Sequence, residues 1–207
     1  MNFSVVITGA TSGLGLALSN KFIEMSECDL VVLGRNEKVL SSLHAKAPDR
    51  VHAIKVDLQN VDSISACVAN IQNIFRGSQP LHFIHSAGIA DPENLDSISA
   101  ANLEAHFQIN TIAPTLMVKG LLPLMEKSRI LFISSGLVDF AIGGLSAYSM
   151  SKSALHALQR SINEELKPDK AICGVLYPSI FDSPMQTSLR EATDFVSADL
   201  FKSYEQE

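Results

Sequence analysis

The sequence predicts a doubly wound α/β fold, a parallel sheet with helices on both faces, and three observations carry that expectation. Short apolar, β-branched runs alternate with longer amphipathic stretches, as crossover connections require. A glycine-rich turn sits directly between the first run and the first amphipathic stretch. The 207 residues, 46% apolar and 18% charged, are enough to bury one ordinary core.

Strands are expected at 3–8, 29–34, 51–56, 81–86, 129–134 and 171–177, six to seven in all if the end of the chain adds one. Between them helices are expected at 13–26, 37–46, 61–75, 99–126 and 146–166. The first carries Leu14, Leu18, Phe22 and Met25 along one face. The fourth carries Leu103, Phe107, Asn110 and Pro114, so a polar amide interrupts an apolar stripe and must find partners once buried. The fifth ends before Pro168, which cannot continue a helical ladder. Residues 191–207 suggest one short polar helix that leaves the cleft open. No Ser/Gly-rich linker, repeat or composition shift divides the chain, so a single domain over 1–207 is expected, with a substrate-binding tail at about 178–207.

Charge and composition narrow the function. A net charge of −6 gives no attraction for nucleic acid or anionic lipid, and neither is expected as a partner. The N-terminus has no basic residue before Lys21 and no apolar run approaches a membrane span, which predicts a soluble, cytoplasmic protein. Three cysteines form no CxxC pair, and six histidines lack HxxxH or HExxH spacing, so no metal site is expected.

The informative residues fall at the carboxyl ends of the strands, where such sheets bind ligands. Thr8-Gly9-Ala10-Thr11-Ser12-Gly13-Leu14-Gly15 joins the first strand to the first helix. Bare backbone N–H groups at a helix N-terminus suit a dinucleotide pyrophosphate, and Gly9, Gly13 and Gly15 can provide them. The second strand ends Gly34-Arg35-Asn36 with no acid at its tip, and a guanidinium there suits a 2′-phosphate, so NADP is favoured over NAD. Tyr148 and Lys152 stand four apart on one helical face, and Ser135 closes the fifth strand thirteen residues before Tyr148.

With these residues in view the chain resembles the short-chain dehydrogenase/reductase family, a Rossmann-type group of NAD(P)-dependent oxidoreductases, over nearly its whole length. The family's TGxxxGxG motif corresponds to Thr8–Gly15, which implies cofactor contacts from Gly9, Thr11, Ser12, Gly13, Leu14 and Gly15. Its Asn-Ser-Tyr-Lys tetrad matches Asn110, Ser135, Tyr148 and Lys152. Asp57 and Leu58 match its adenine-binding segment, and Ser86, Ala87 and Gly88 its Asn-Ala-Gly motif. Pro178, Ser179, Ile180 and Ser183 match the PGxVxTxM segment that holds the carboxamide. Ser86, Ser179 and Ser183 replace the family's usual Asn, Gly and Thr.

The resemblance implies interconversion of a carbonyl and an alcohol on a small organic molecule, with Tyr148 as general acid/base and Lys152 favouring its phenolate and holding the nicotinamide ribose. Ser135 would orient the carbonyl, and Asn110 would fix a water in a proton relay. It also implies a homodimer through the helices at about 99–126 and 146–166. The alternative from another class is a catalytically silent dinucleotide-binding regulator of the same fold.

Overall fold

A computed structural model describes residues 3–75, 79–179 and 181–203. Six parallel strands, β1 (Phe3–Thr8), β2 (Cys28–Gly34), β3 (Val51–Lys55), β4 (Leu81–His85), β5 (Ser128–Ile133) and β6 (Ala171–Leu176), lie in the order β3-β2-β1-β4-β5-β6. All six expected strands are present, each end within one residue of its expected position. The order reverses between β1 and β4, which opens a crevice at their carboxyl ends.

The strands are apolar on both faces because both faces are covered. Val5, Ile7, Leu30 and Val32 pack with Leu16, Phe22, Leu40 and Leu43 of α1 (Gly13–Ile23) and α2 (Glu37–Lys46). The alternate residues Val6, Val31, Phe83, Ile130 and Phe132 pack with Ile64, Met117, Leu121 and Leu155. Those helical residues come from α3 (Val61–Ile74), α5 (Ala113–Leu121) and α6 (Ser146–Glu165). The period of two in the strands thus sorts one apolar run into two cores.

The expected single helix at 99–126 is broken. Residues Ala100–Phe107 form α4, Gln108–Ile112 a π-helical turn, Ala113–Leu121 form α5, and Leu122–Leu124 a 3-10 turn. Pro114 supplies the cause: it has no N–H for the carbonyl four residues back, that of Asn110, so the α ladder is interrupted there.

Within 191–207 one short helix, α8 (Ala198–Ser203), is present as expected, preceded by α7 (Pro184–Glu191). The expected open cleft is not: the apolar residues Leu189, Phe195 and Phe201 pack against Ala90, Leu145 and Tyr148. Gly144, at φ +86°, makes room: a Cβ there would come within 2.5 Å of the Phe195 ring. Asn94 fixes the same segment, accepting from the Val196 N–H at 2.8 Å and donating to the Asp194 carbonyl at 3.2 Å. The cleft is therefore roofed. Among the described residues β6 pairs on one side only, and Ile172 and Leu176 at that edge are exposed.

Candidate active site

One cavity of about 650 Å³ runs along the carboxyl edge of the sheet. Gly9, Thr11, Ser12, Gly13, Leu14, Arg35, Asp57, Leu58, Ser86, Ala87, Gly88, Ser135, Tyr148, Lys152, Pro178, Ser179 and Ser183 all line it. Gly15 and Asn110 stand behind its wall, and Ile180 lies outside the described residues. Widely separated stretches of sequence therefore contribute to a single site.

The three glycines of the first turn divide their work. Gly9 has φ +69°, and a Cβ there would sit 2.7 Å from the Ala87 nitrogen, so the turn is pressed against the exit of β4. A Cβ on Gly15 would meet the Gly9 carbonyl oxygen at 2.2 Å, which makes that glycine a requirement of the turn itself. Gly13, at φ +48°, is different: a Cβ there would make only ordinary contacts, 3.7 Å from the Ser183 side chain and 4.0 Å from the Phe181 ring, although its positive φ still favours glycine. Gly9 and Gly13 both line the cavity, and Gly15 stands behind them.

α1 begins at Ser12 with no side-chain cap and no acid in its first turn, so its leading N–H groups face the cleft unshielded by carboxylate. The positive end of the helix, opening on the cavity that Gly9, Ser12 and Gly13 line, fits a pyrophosphate, and hence a dinucleotide. At the adenosine end, Gly34 lets Thr11 lie against the end of β2, where a Cβ would be 2.6 Å from its methyl carbon. Arg35 is exposed just beyond, and across from it the Asp57 carboxylate accepts the Gln59 N–H at 3.0 Å.

Thr8 braces the turn from behind. Its hydroxyl accepts the Ala87 N–H at 3.3 Å, so its own proton goes to His85 Nδ1, 2.8 Å away. That assignment requires a neutral imidazole, and burial pushes the His85 pKa down to about 3.

At the other end α6 presents Tyr148 and Lys152. The Lys152 Nζ donates to the Ile133 carbonyl at 2.8 Å and lies 5.8 Å from the centre of the Tyr148 ring. Burial lowers the Lys152 pKa to about 8. Burial also raises that of the Tyr148 phenol, and a hydrogen bond with Ser135 partly opposes the rise. Burial therefore favours the protonated phenol, the form that can donate a proton.

Asn110 is fully buried and its side chain is spent. The Oδ1 accepts the Ile89 N–H at 3.0 Å, while the Nδ2 donates to the Ile89 carbonyl at 3.1 Å and the Ser151 Oγ at 2.9 Å. It therefore ties the loop after β4 to α6 one residue before Lys152. Gly88 closes this corner, since a Cβ there would lie 3.3 Å from Asn110 Oδ1 and 3.4 Å from Lys152 Nζ.

Sequence reasoning placed the tail after Pro178 at the site but missed that Leu189 and Phe201, with Met185, roof the cavity as apolar lining. The signal was present in the four-residue spacing of Met185 and Leu189 and the three-residue spacing of Phe195, Ala198 and Phe201. Among the described residues no group of three His, Cys, Asp or Glu could hold a metal ion, and no helix is long and apolar enough to cross a membrane.

Comparison with known proteins gives concordant matches. A family model described as short chain dehydrogenase matches residues 4–194. The Saccharomyces cerevisiae protein named benzil reductase ((S)-benzoin forming) IRC24 is 30% identical over 200 residues, covering 90% of this chain and 74% of the relative. The 3-amino-tetrahydro-pyrrolizinone reductase of Xenorhabdus hominickii is 28% identical over 184 residues, covering 88% of this chain but 63% of the relative. The solved structure of carbonyl reductase Sniffer of D. melanogaster superposes with a TM-score of 0.80 at 28% identity, covering 89% of this chain and 84% of that one.

Proposed function

Because the chain belongs to the short chain dehydrogenase family, we propose that it is an NADP(H)-dependent oxidoreductase that interconverts a carbonyl and an alcohol on a small organic molecule. The observation that carries this is the continuity of one cavity from Arg35 and the bare start of α1 to the Tyr148 hydroxyl. Reductase names among the relatives support it.

Gly13 and the first N–H groups of α1 would hold the pyrophosphate, Arg35, Asp57 and Leu58 the adenosine end, and Ser86, Pro178, Ser179 and Ser183 the nicotinamide end. A reduced nicotinamide held there would be the source of hydride for the carbonyl carbon. Ser135 donates a hydrogen bond to the carbonyl oxygen and fixes its direction. Tyr148, held as a phenol by burial, releases its proton to that oxygen as negative charge develops there. Lys152, anchored on the Ile133 carbonyl, presents its remaining N–H groups to the ribose and to the phenolate that the transfer leaves behind. With the Asn110 side chain committed to Ile89 and Ser151, a relay water would be held by its main-chain carbonyl, the one that Pro114 cannot serve.

The NADP preference rests on Arg35, the cation at the adenosine end of the cavity among its described lining residues. Arg35→Ala is expected to weaken NADPH binding by about tenfold and leave NADH binding unchanged, since one charge-assisted contact contributes on the order of 1–2 kcal/mol. Titration calorimetry with each nucleotide measures this, and an unchanged ratio of the two affinities removes Arg35 from the site.

The protein works as a homodimer through α4–α5 and α6, where Ile112 and Met150 are exposed. Light scattering is expected to give twice the chain mass, and a monomer at micromolar concentration contradicts this. Three buried, unpaired cysteines, each with its pKa raised to about 12 by burial, suit a reducing cytoplasm.

A further inference from the structure

We infer that the substrate end of the cavity takes a neutral, apolar ketone, aryl or branched alkyl, and turns away carbonyl compounds that carry a carboxylate or phosphate. The inference rests on the carbonyl-reductase assignment for its reaction and adds the substrate class.

Beyond Ser135 and Tyr148 the walls are Leu137, Ile142, Leu145, Met185, Leu189 and Phe201. They come from three separate parts of the chain: the loop after β5, the start of α6 and the roof formed by α7 and α8. The polar residues among them, Gln186 and Ser188, are uncharged. Among the described lining residues charge is confined to four positions. Arg35 and Asp57 stand at the adenosine end past the glycine turn, and Asp91 is an exposed anion of the lining. Lys152 is fully buried, its ammonium directed to the Ile133 carbonyl beneath the reacting position.

Arg190, next to the roof residue Leu189, is paired with Asp182 at 2.8 Å and is absent from the lining. An anionic group on the substrate would therefore exchange water for leucine, methionine and phenylalanine surface, with no counter-ion among the described lining residues of that end. A neutral aryl or branched alkyl group loses nothing polar on entry and gains contact with Leu189 and Phe201.

The test compares a neutral aryl methyl ketone with its para-carboxylate, a pair matched in shape and carbonyl position. For each, kcat/KM is measured with NADPH, and the dissociation constant is measured by calorimetry on protein saturated with NADPH. The neutral ketone is expected to be preferred by at least about 100-fold in both readouts. Equal or reversed preference overturns the inference while leaving the reductase assignment in place. If neither ketone is reduced, the calorimetric ratio still decides the inference, and the missing turnover counts against the reductase assignment alone. Phe140, 60% exposed in the lining, gives a second variant whose folding is not at risk. Phe140→Arg supplies the missing cation and is expected to narrow the preference by about tenfold; a ratio unmoved by that charge contradicts the electrostatic basis of the selection.

Discussion

Tyr148→Phe is expected to lower kcat by about 10³-fold while leaving NADPH affinity unchanged, because the substitution removes one hydroxyl and nothing else. The ring is buried in the apolar cluster with Leu145, Leu189 and Phe201, and phenylalanine fills the same volume, so the roof and the cleft keep their shape. The lost group is the phenol whose pKa burial raises and whose hydrogen bond joins it to Ser135. Without it the developing oxyanion has only Ser135 as a donor. Steady-state kinetics with a carbonyl panel, paired with calorimetric titration of NADPH, separates the two effects. A variant that turns over within about tenfold of the parent shows that the proton comes from elsewhere.

Lys152→Met is expected to lower activity by about 10²-fold or more and at the same time to stabilise the fold. The ammonium is fully buried, and desolvation moves its pKa from 10.5 to about 8. A base whose folded pKa lies below its unfolded one carries its full penalty below the folded value. That penalty fades as pH rises from about 8 to 10.5, where only the unfolded chain still binds the proton. The penalty is on the order of 3 kcal/mol, offset by roughly 1 kcal/mol for the Ile133 carbonyl that loses its donor. The variant should therefore melt several degrees higher at pH 7, and the difference should shrink toward pH 10. Thermal unfolding across that range reads it directly. A variant less stable than the parent at pH 7 shows that the lysine is held by more than one carbonyl.

The residues that meet in the cavity were legible because chemistry and periodicity coincide at them. A β-branched run followed at once by glycines and an amphipathic stretch can form only a strand, a tight turn and a helix, and the structure places Phe3–Thr8 and Gly13–Ile23 there. Tyr148 and Lys152 on one helical face needed only helix geometry. Two other features were hidden. Apolar spacing across 99–126 reads as one helix, and the π turn at Asn110 follows from a missing N–H at Pro114, a backbone property that a side-chain pattern does not carry. The tail after Pro178 reads as polar because its apolar residues are sparse. They nevertheless fall at Leu189, Phe195, Ala198 and Phe201, spaced to form one small cluster, and Gly144 leaves the space into which Phe195 fits. The electrostatics of Tyr148 were hidden for a related reason, since neighbouring charge is visible in a sequence and the degree of burial is not.

The most direct measurement follows the hydrogen itself: NADPH deuterated at the transferring position is incubated with the protein and a neutral aryl ketone, and the product is weighed by mass spectrometry. Convergence of the bare helix start, Ser135 and Tyr148 in one cavity predicts an alcohol one mass unit heavier on the former carbonyl carbon, with Tyr148→Phe giving almost none. Tight nucleotide binding without label in the product of any carbonyl compound offered would contradict it.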